Sequence, residues 1–312
     1  MNTPIARKLS VLTTGGTIFS ELTPIGIMPV TGGRELMEIY APRLLEGYGP
    51  CVEDLFRLDS TNMHYPEYRQ VAEAVQKMVQ EGYPSVTVAQ GTDSMTYANG
   101  FLTVRLPFKN FHLGITGSMY RLSSGPDSDA HRNLEAALIA GSEWEKWLGT
   151  YNFVDNGDVL RASRSIETRP NKIVVVKGEM HAVPEKKAFM SVNYPVVARL
   201  RGSNGNRRIE FIQGSESLQA QFLSQQMERY EYFRELEDHF GSPVFLPHYT
   251  PVYIADLHPN FDPGEFDRAF KYYKVILIKA TGTGGIFTTP KEKELLPKIK
   301  RHIERGGFVV IA

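Results

Sequence analysis

Val11-Leu12-Thr13-Thr14-Gly15-Gly16-Thr17-Ile18-Phe19 is the stretch on which the interpretation of this chain turns. An apolar, β-prone run ends in two glycines, with a threonine on either side of them. Glycine lets a backbone turn sharply and lets a ligand come close to it. A hydroxyl at the C-terminal end of a first strand lies where open α/β sheets bind ligands. An ordinary strand-to-loop turn explains a lone T-G-G-T equally well, so the rest of the chain decides whether Thr17 is more than that.

Short β-rich runs alternate with helical patterns on both sides of this question. Residues 8–14, 85–90, 112–117 and 151–154 read as buried strands. Residues 66–82 and 131–141 have helical periodicity, each with glycine at its end. Such alternation implies a parallel sheet covered by helices on both faces. The order blurs between about 200 and 245: residues 201–208 read as a hairpin or loop, and 217–237 as a polar, aromatic connecting helix. Strand patterns resume at 251–257 and 274–280, and 292–307 reads as a helix interrupted by Pro297. The expected fold is therefore α/β. A large N-terminal domain with a mainly parallel sheet covers residues 1–200, a linker and connecting helix covers 201–244, and a smaller C-terminal α/β domain covers 245–312. The sequence stops within an apparent strand, so that last domain is expected to be incomplete.

Bulk properties narrow the function. Lysine plus arginine and aspartate plus glutamate balance at 35 each, which gives no reason to expect a nucleic-acid partner. Cys51 is the only cysteine, which excludes an intrachain disulfide and a cysteine-based zinc site. His64, His112, His131, His181, His239, His248, His258 and His302 show no metal-ligand spacing. No apolar run is long enough to span a bilayer, and the N-terminus lacks the long apolar core of a signal peptide. A cytoplasmic protein without metal, organic cofactor or membrane is expected. The aromatic run at 229–233 reads as a packing or oligomer face. A phosphate loop of the G-x-x-x-x-G-K-S/T type is absent, and Thr281-Gly282-Thr283-Gly284-Gly285 lacks the glycine offset of a dinucleotide fold.

Three more strand ends repeat the logic of the first. Residues 85–95 run from a buried strand into Gly91, Thr92 and Asp93. Asp59, Ser60, Thr61 and Asn62 follow an apolar segment. Thr116-Gly117-Ser118-Met119 leads into a turn-rich stretch ending at Asn133. Parallel strands put these ends on one edge of the sheet, facing one crevice. The chemistry that fits is nucleophilic attack on a polarised carbon. A threonine hydroxyl becomes a nucleophile once a base takes its proton, a carboxylate holds an ammonium, and glycine-turn N–H groups at Gly16 and Gly91 bind a developing oxyanion.

Thr14-Gly15-Gly16-Thr17-Ile18 and Gly91-Thr92-Asp93-Ser94-Met95 resemble the two signatures of the asparaginase/glutaminase (threonine amidohydrolase) family. Asp59 to Met63 is similar to its substrate-binding loop, and Ser128-Asp129-Ala130, Asn133-Leu134, 188–194 and 281–285 also match, in order, over most of the chain. The resemblance implies that Thr17 attacks a side-chain amide of asparagine, glutamine or a related compound. Thr92 and Asp93, with a lysine, would activate a nucleophile. Ser60, within the loop that also holds Asp59 and Thr61, and Asp93 would bind the α-carboxylate and α-amino groups. Ser118 would line the amide and oxyanion region. Water would resolve the acyl-enzyme. The protein would be a homo-oligomer, a dimer or tetramer.

The departures from the family fall on the chemistry. Gln90 stands where histidine usually precedes G-T-D, and Glu167 stands where the lysine of an R-x-x-R-S/T-x-K pattern should be. A glutamate there puts two carboxylates in one pocket and raises one of their pKa values. Lys177, Lys186 and Lys187, in an apparent insertion at 168–187, read as ordinary surface lysines, with a swing back into the site to replace the lysine as the alternative. The lid-like segment 19–33 has no tyrosine, and Tyr40 is too far along. Three functions follow: an active amidohydrolase, an asparaginase-like protein that binds an amino acid without hydrolysis, or an ammonia-producing subunit of an amidotransferase.

Overall fold

The computed structural model describes residues 8–106, 111–176, 179–203, 206–215, 252–256, 264–279 and 292–311. Lys177, the 217–237 segment and residues 281–285 lie outside them.

β1 (Leu9–Gly15) is buried along its whole length, as a parallel strand covered on both faces must be. An exposed hairpin follows, β2 (Glu21–Thr23) and β3 (Gly26–Met28), and then helices α1 (Gly33–Tyr40) and α2 (Pro42–Tyr48). β4 (Cys51–Leu58) returns parallel to β1, with Ser10 opposite Cys51. Helix α3 (Tyr65–Gln80) starts with a proline and a His64–Glu67 capping box. It carries the chain to the other side of β1, where β5 (Ser85–Ala89) pairs with Leu12 opposite Val88. Helix α4 (Met95–Arg105) precedes β6 (His112–Thr116), and α5 (Asp129–Ser142) precedes β7 (Gly149–Val154), both strands again parallel.

Direction then changes at one tight turn. Asp155, Asn156 and Gly157 all have positive φ (53°, 68° and 98°), a conformation that Asp and Asn tolerate better than other side chains. β8 (Asp158–Arg161) consequently runs antiparallel to β7. The chain leaves the sheet through β9 (Ser165–Glu167), a hairpin of β10 (Asn171–Val176) and β11 (Glu179–Pro184), and β12 (Phe189–Ser191), which pairs with β9. It rejoins through β13 (Ala198–Arg201) and β14 (Arg208–Phe211). The eight-stranded order is β14-β13-β8-β7-β6-β5-β1-β4. β13 and β14 pair antiparallel, with Arg201 opposite Arg208, so the large sheet continues to Phe211.

Alternation along β1 feeds two core layers. Leu12 packs with Val86, Val88, Leu113 and Ile115 beneath α3 and α4, while Val11 packs with Leu36, Met37, Leu134 and Leu138 of α1 and α5. Burying one such side chain is worth about 1.5–3 kcal/mol. A one-residue slip would move every one of them to the wrong layer.

Two compact units are present, Met1–His239 and Phe240–Ala312. In the second, β15 (Val252–Asp256), β16 (Val275–Lys279) and β17 (Phe308–Ile311) form a parallel sheet in that order. Helices α6 (Glu265–Tyr272) and α7 (Glu292–Glu304) accompany it. The expected interruption at Pro297 does not occur: α7 runs through it. Proline removes a hydrogen bond there, but the next two residues tie the helix down, Lys298 to Asp267 at 2.8 Å and Ile299 in the core.

One buried side chain joins the parallel half of the large sheet to its reversing turn. Asn133 Nδ2 donates to Gly117 O, and its Oδ1 accepts from Gly157 N, both at 2.8 Å. Asn133→Ala would orphan both groups and lower the unfolding free energy by about 2–4 kcal/mol. Urea unfolding of the two proteins, compared at unchanged slope, measures it.

Candidate active site

The sheet order determines where a crevice opens. From β1 the chain goes first to β4 on one side and then crosses to β5 on the other. The loops leaving β1 and β5 therefore diverge, and ligands of open α/β sheets bind at such a reversal, outside the carboxyl ends of the strands. Gly16 and Thr17 follow β1, Asp59 to Thr61 follow β4, Gly91 to Asp93 follow β5, and Ser118 follows β6. All the sequence-predicted residues of these four loops belong to this one edge.

Three backbones meet there with no room for side chains. A Cβ on Gly15 would lie 2.5 Å from Leu58 O, and one on Gly16 would land on the Gly91 backbone. A Cβ on Gly91 would lie 2.5 Å from Ser60 Oγ. Gly16 N donates to Leu58 O at 2.9 Å, and Gly15 and Gly16 hold φ of 97° and 73°. The glycines are bare because β1, β4 and β5 touch through them, which brings the residues that follow, Thr17, Ser60 and Thr92, to one place.

The two threonines of the opening stretch have different situations. Thr14 is buried in β1, with Oγ1 3.5 Å from Ala89 O. Thr17 begins a single tight helical turn, Thr17–Phe19, whose Ile18 and Phe19 are buried. It is the only residue from Thr17 to Ser20 that is not fully buried. Ser20 Oγ closes the turn on Gly16 O at 2.8 Å.

Past β4, the Asp59 carboxylate accepts from Thr61 N at 2.9 Å and from Thr61 Oγ1 at 2.8 Å. These two exposed residues thus engage each other. Between them, Ser60 is buried and its Oγ lies 3.4 Å from Asp93 Oδ2. Past β5, Thr92 is buried and Asp93 exposed. Gln90 is fully buried, and its amide has no hydrogen-bond partner among the described residues. Past β6, Gly117 sits against Gln90 O and Thr92, and Ser118 Oγ donates to Tyr120 O at 2.5 Å.

Asp129, to which sequence reasoning gave no role, holds the β6 loop. Its carboxylate accepts from Met119 N at 2.7 Å and Tyr120 N at 3.1 Å. Burial pushes this carboxyl above its ordinary range, against the pull of those two donors. In the sequence it stood as part of the Ser128-Asp129-Ala130 match to the family and as the Ser-Asp pair of a helix start, which capping explains equally well.

Glu167 comes to the same group from outside the large sheet. It ends β9, and its N donates to Thr96 Oγ1 of α4 at 3.5 Å. Burial and then the Asp93 charge push its carboxyl up to about 7, with the neighbouring Thr92 hydroxyl pulling the other way. Its Oε1 is buried with no hydrogen-bond partner among the described residues. Among the described residues, neither Lys186 nor Lys187 takes its place. Lys186 donates to Asp127 O at 3.0 Å and lies 5.6 Å from the Tyr120 ring centre. The charge of Lys187 acts on Asp155 and Asp158. Thr92, Asp93, Ser60 and Glu167 thus form one cluster, next to the glycine contact that presents Thr17. Among the described residues no group of three or more His, Cys, Asp or Glu could hold a metal ion, and no helix is long and apolar enough to cross a membrane.

Comparison with known proteins identifies the family. A family model described as Asparaginase, N-terminal matches residues 8–211. The L-asparaginase of Thermococcus kodakarensis is 29% identical over 89% of this chain and 72% of its own length. A glutamyl-tRNA(Gln) amidotransferase subunit of Metallosphaera sedula is 31% identical over 97% of this chain, which spans only 61% of that protein. Among solved structures, the thermostable Thermococcus kodakarensis L-asparaginase superposes with a TM-score of 0.66 at 21% identity, covering 97% of this chain and 79% of that one. A probable cytoplasmic L-asparaginase of Campylobacter jejuni gives 0.68 at 18% identity, covering 98% and 82%. At these identities the superpositions speak for the fold.

Two outcomes follow from the geometry. Gly16→Ala puts a methyl group into the Gly91 backbone at a positive φ, so it should destabilise the chain by more than about 1 kcal/mol, read as a lowered Tm. The second concerns Glu167, whose carboxyl rises from 4.5 to about 7 on folding. The folded state then binds the proton more tightly, so the group's stabilising contribution is complete below about 4.5 and is lost as pH rises through about 7. Glu167→Gln should therefore raise Tm relative to the parent at pH 8, and the difference should close by pH 5 in thermal scans.

Proposed function

The chain belongs to the asparaginase family, and from that premise we propose that it is an amidohydrolase releasing ammonia from asparagine, glutamine or a related amide. The observation that supports this is the meeting of the glycine turns after β1 and β5 with the end of β4 at the sheet reversal, from which Thr17 would act together with Thr92, Asp93, Ser60 and Glu167. In this mechanism Thr17 Oγ1 bonds to the amide carbon while its proton passes to a base. The carbon–nitrogen bond breaks, ammonia leaves with a proton, and a threonyl ester remains. Water then bonds to the same carbon, and the ester bond to Oγ1 breaks. Gly16 N is taken by Leu58 O, so the N–H groups for the developing oxyanion would come from Thr17 and the Gly91 turn, and Gly16 serves by its bare Cα.

Glu167 fits the role of base in an unusual way. A proton acceptor works best when its pKa lies near the operating pH, and this carboxyl sits at about 7. Thr92, next to it, would relay the proton. Asp93, with Ser60 against it, would take a substrate ammonium. Ser118 would line the amide end, with Asp59 and Thr61 at the rim. Residues 1–200 as catalytic domain, a cytoplasmic location and a dimer or tetramer belong to the same proposal.

One observation favours a second function. Glu167 removes the positive charge expected beside Asp93, which suits an asparaginase-like protein that binds its ligand without hydrolysing it. The similarity to amidotransferase subunits adds a third, an ammonia source that works only with a partner.

Ammonia release from asparagine and glutamine by the purified protein separates these. An amidohydrolase should release ammonia, and Thr17→Ala should reduce kcat by at least about a thousandfold, as loss of a covalent nucleophile does. Ligand-induced stabilisation without ammonia would leave the binding protein standing. Release that appears only in Glu167→Lys would mean that the hydrolysis was lost at that position.

A further inference from the structure

The charge of the site has a consequence for what enters it. The described ionisable side chains of the cluster are both acids, Asp93 and Glu167. Among the described residues, the charge that acts on Glu167 is that of Asp93. Lys186 is engaged with Asp127 O and Tyr120, the charge of Lys187 acts on Asp155 and Asp158, Arg57 of β4 meets Val30 O at 3.3 Å, and Arg161 lies 4.8 Å from the Tyr151 ring centre. A third acid, Asp59, stands at the exposed rim and is capped by neutral donors alone. A crevice with this lining attracts a cation and repels an anion. The half-buried position of Glu167 strengthens both effects, because charges screened from water interact more strongly.

A zwitterionic amino-acid amide brings both signs into this field. Its ammonium gains from Asp93, but its carboxylate must approach the Asp93 charge and the partly ionised Glu167. A lysine at position 167 would instead leave the pair neutral and admit the carboxylate. We infer that this site is selective for cationic amides, which carry an ammonium group and no carboxylate near the scissile amide. This rests on the amidohydrolase proposal for its turnover and on the cluster's charge for its selectivity. The reaction is the same hydrolysis: the amide nitrogen leaves as ammonia, water supplies the oxygen, and the product is an amino acid formed from an amino amide.

The probe is 3-aminopropanamide, which is asparagine without its α-carboxylate. Ammonia release from it and from L-asparagine is measured with the full chain and with Glu167→Lys, and the ratio of kcat/KM values is compared. The parent should favour 3-aminopropanamide by at least about tenfold, equivalent to 1.4 kcal/mol, and Glu167→Lys should shift the ratio toward asparagine by a similar factor. A parent that prefers asparagine, or shows no preference, overturns the inference and leaves the amidohydrolase proposal intact. If neither compound is hydrolysed, that proposal fails by itself. The selectivity is then read from ligand-induced Tm shifts of the parent: a larger shift with 3-aminopropanamide supports it, and equal or absent shifts overturn it. Should Glu167→Lys not fold, Glu167→Gln removes the charge with little change of shape, and the parent's preference should shrink in it.

Discussion

The contact of one glycine backbone with another, Gly16 against Gly91, governs this structure. It is a steric statement before it is a chemical one. Two adjacent parallel strands diverge at their carboxyl ends unless something holds the following loops together. Here the absence of a Cβ on each side, with Gly15 fitted against Leu58 and Ser60 against Gly91, keeps three loops in contact. Hydroxyls and carboxylates from β1, β4 and β5 share a crevice for that reason, and the functional proposals depend on it.

Charge provides the second layer. The same crevice with a lysine at position 167 would pair a cation with Asp93. With glutamate it holds two acids, one of them kept half-buried and only half-ionised near neutral pH. The local fold does not reject this. Thr92 neighbours the carboxyl, Thr96 takes the backbone N–H, and the remaining strain is expressed as a proton held more tightly than usual. Electrostatic tension is therefore concentrated at one side chain rather than spread through the core.

Much of the large sheet was legible in the sequence because its strands are buried on both faces and so appear as unbroken apolar runs, as at 85–89 and 112–116. Helices α3 and α5 were legible through their periodicity and terminal glycines. The pairing of β9 with β12 was not, because three-residue strands separated by more than twenty residues leave no periodic trace. Helices α1 and α2, seven or eight residues each, fell below the same threshold. The run through Pro297 was missed because tertiary anchoring by Lys298 and Ile299 outweighs a local rule. At the site, the glycine turns were visible as motifs, and the family resemblance pointed to Glu167. The work of Asp129 and Asn133 was hidden, since both act on backbone groups that no pattern reveals.

The ribbon of β9 and β12 has one more implication. Glu167 sits on an element that does not belong to the eight-stranded sheet and is attached by a few bonds, such as Phe189 N to Asp155 Oδ1 and Glu167 N to Thr96 Oγ1. The scaffold and its charge are therefore inherited on separate parts. An exchange of the residue on the ribbon changes the net charge of the crevice without disturbing the glycine contacts that make the crevice. The fold can explore new chemistry one side chain at a time while its architecture stays constant.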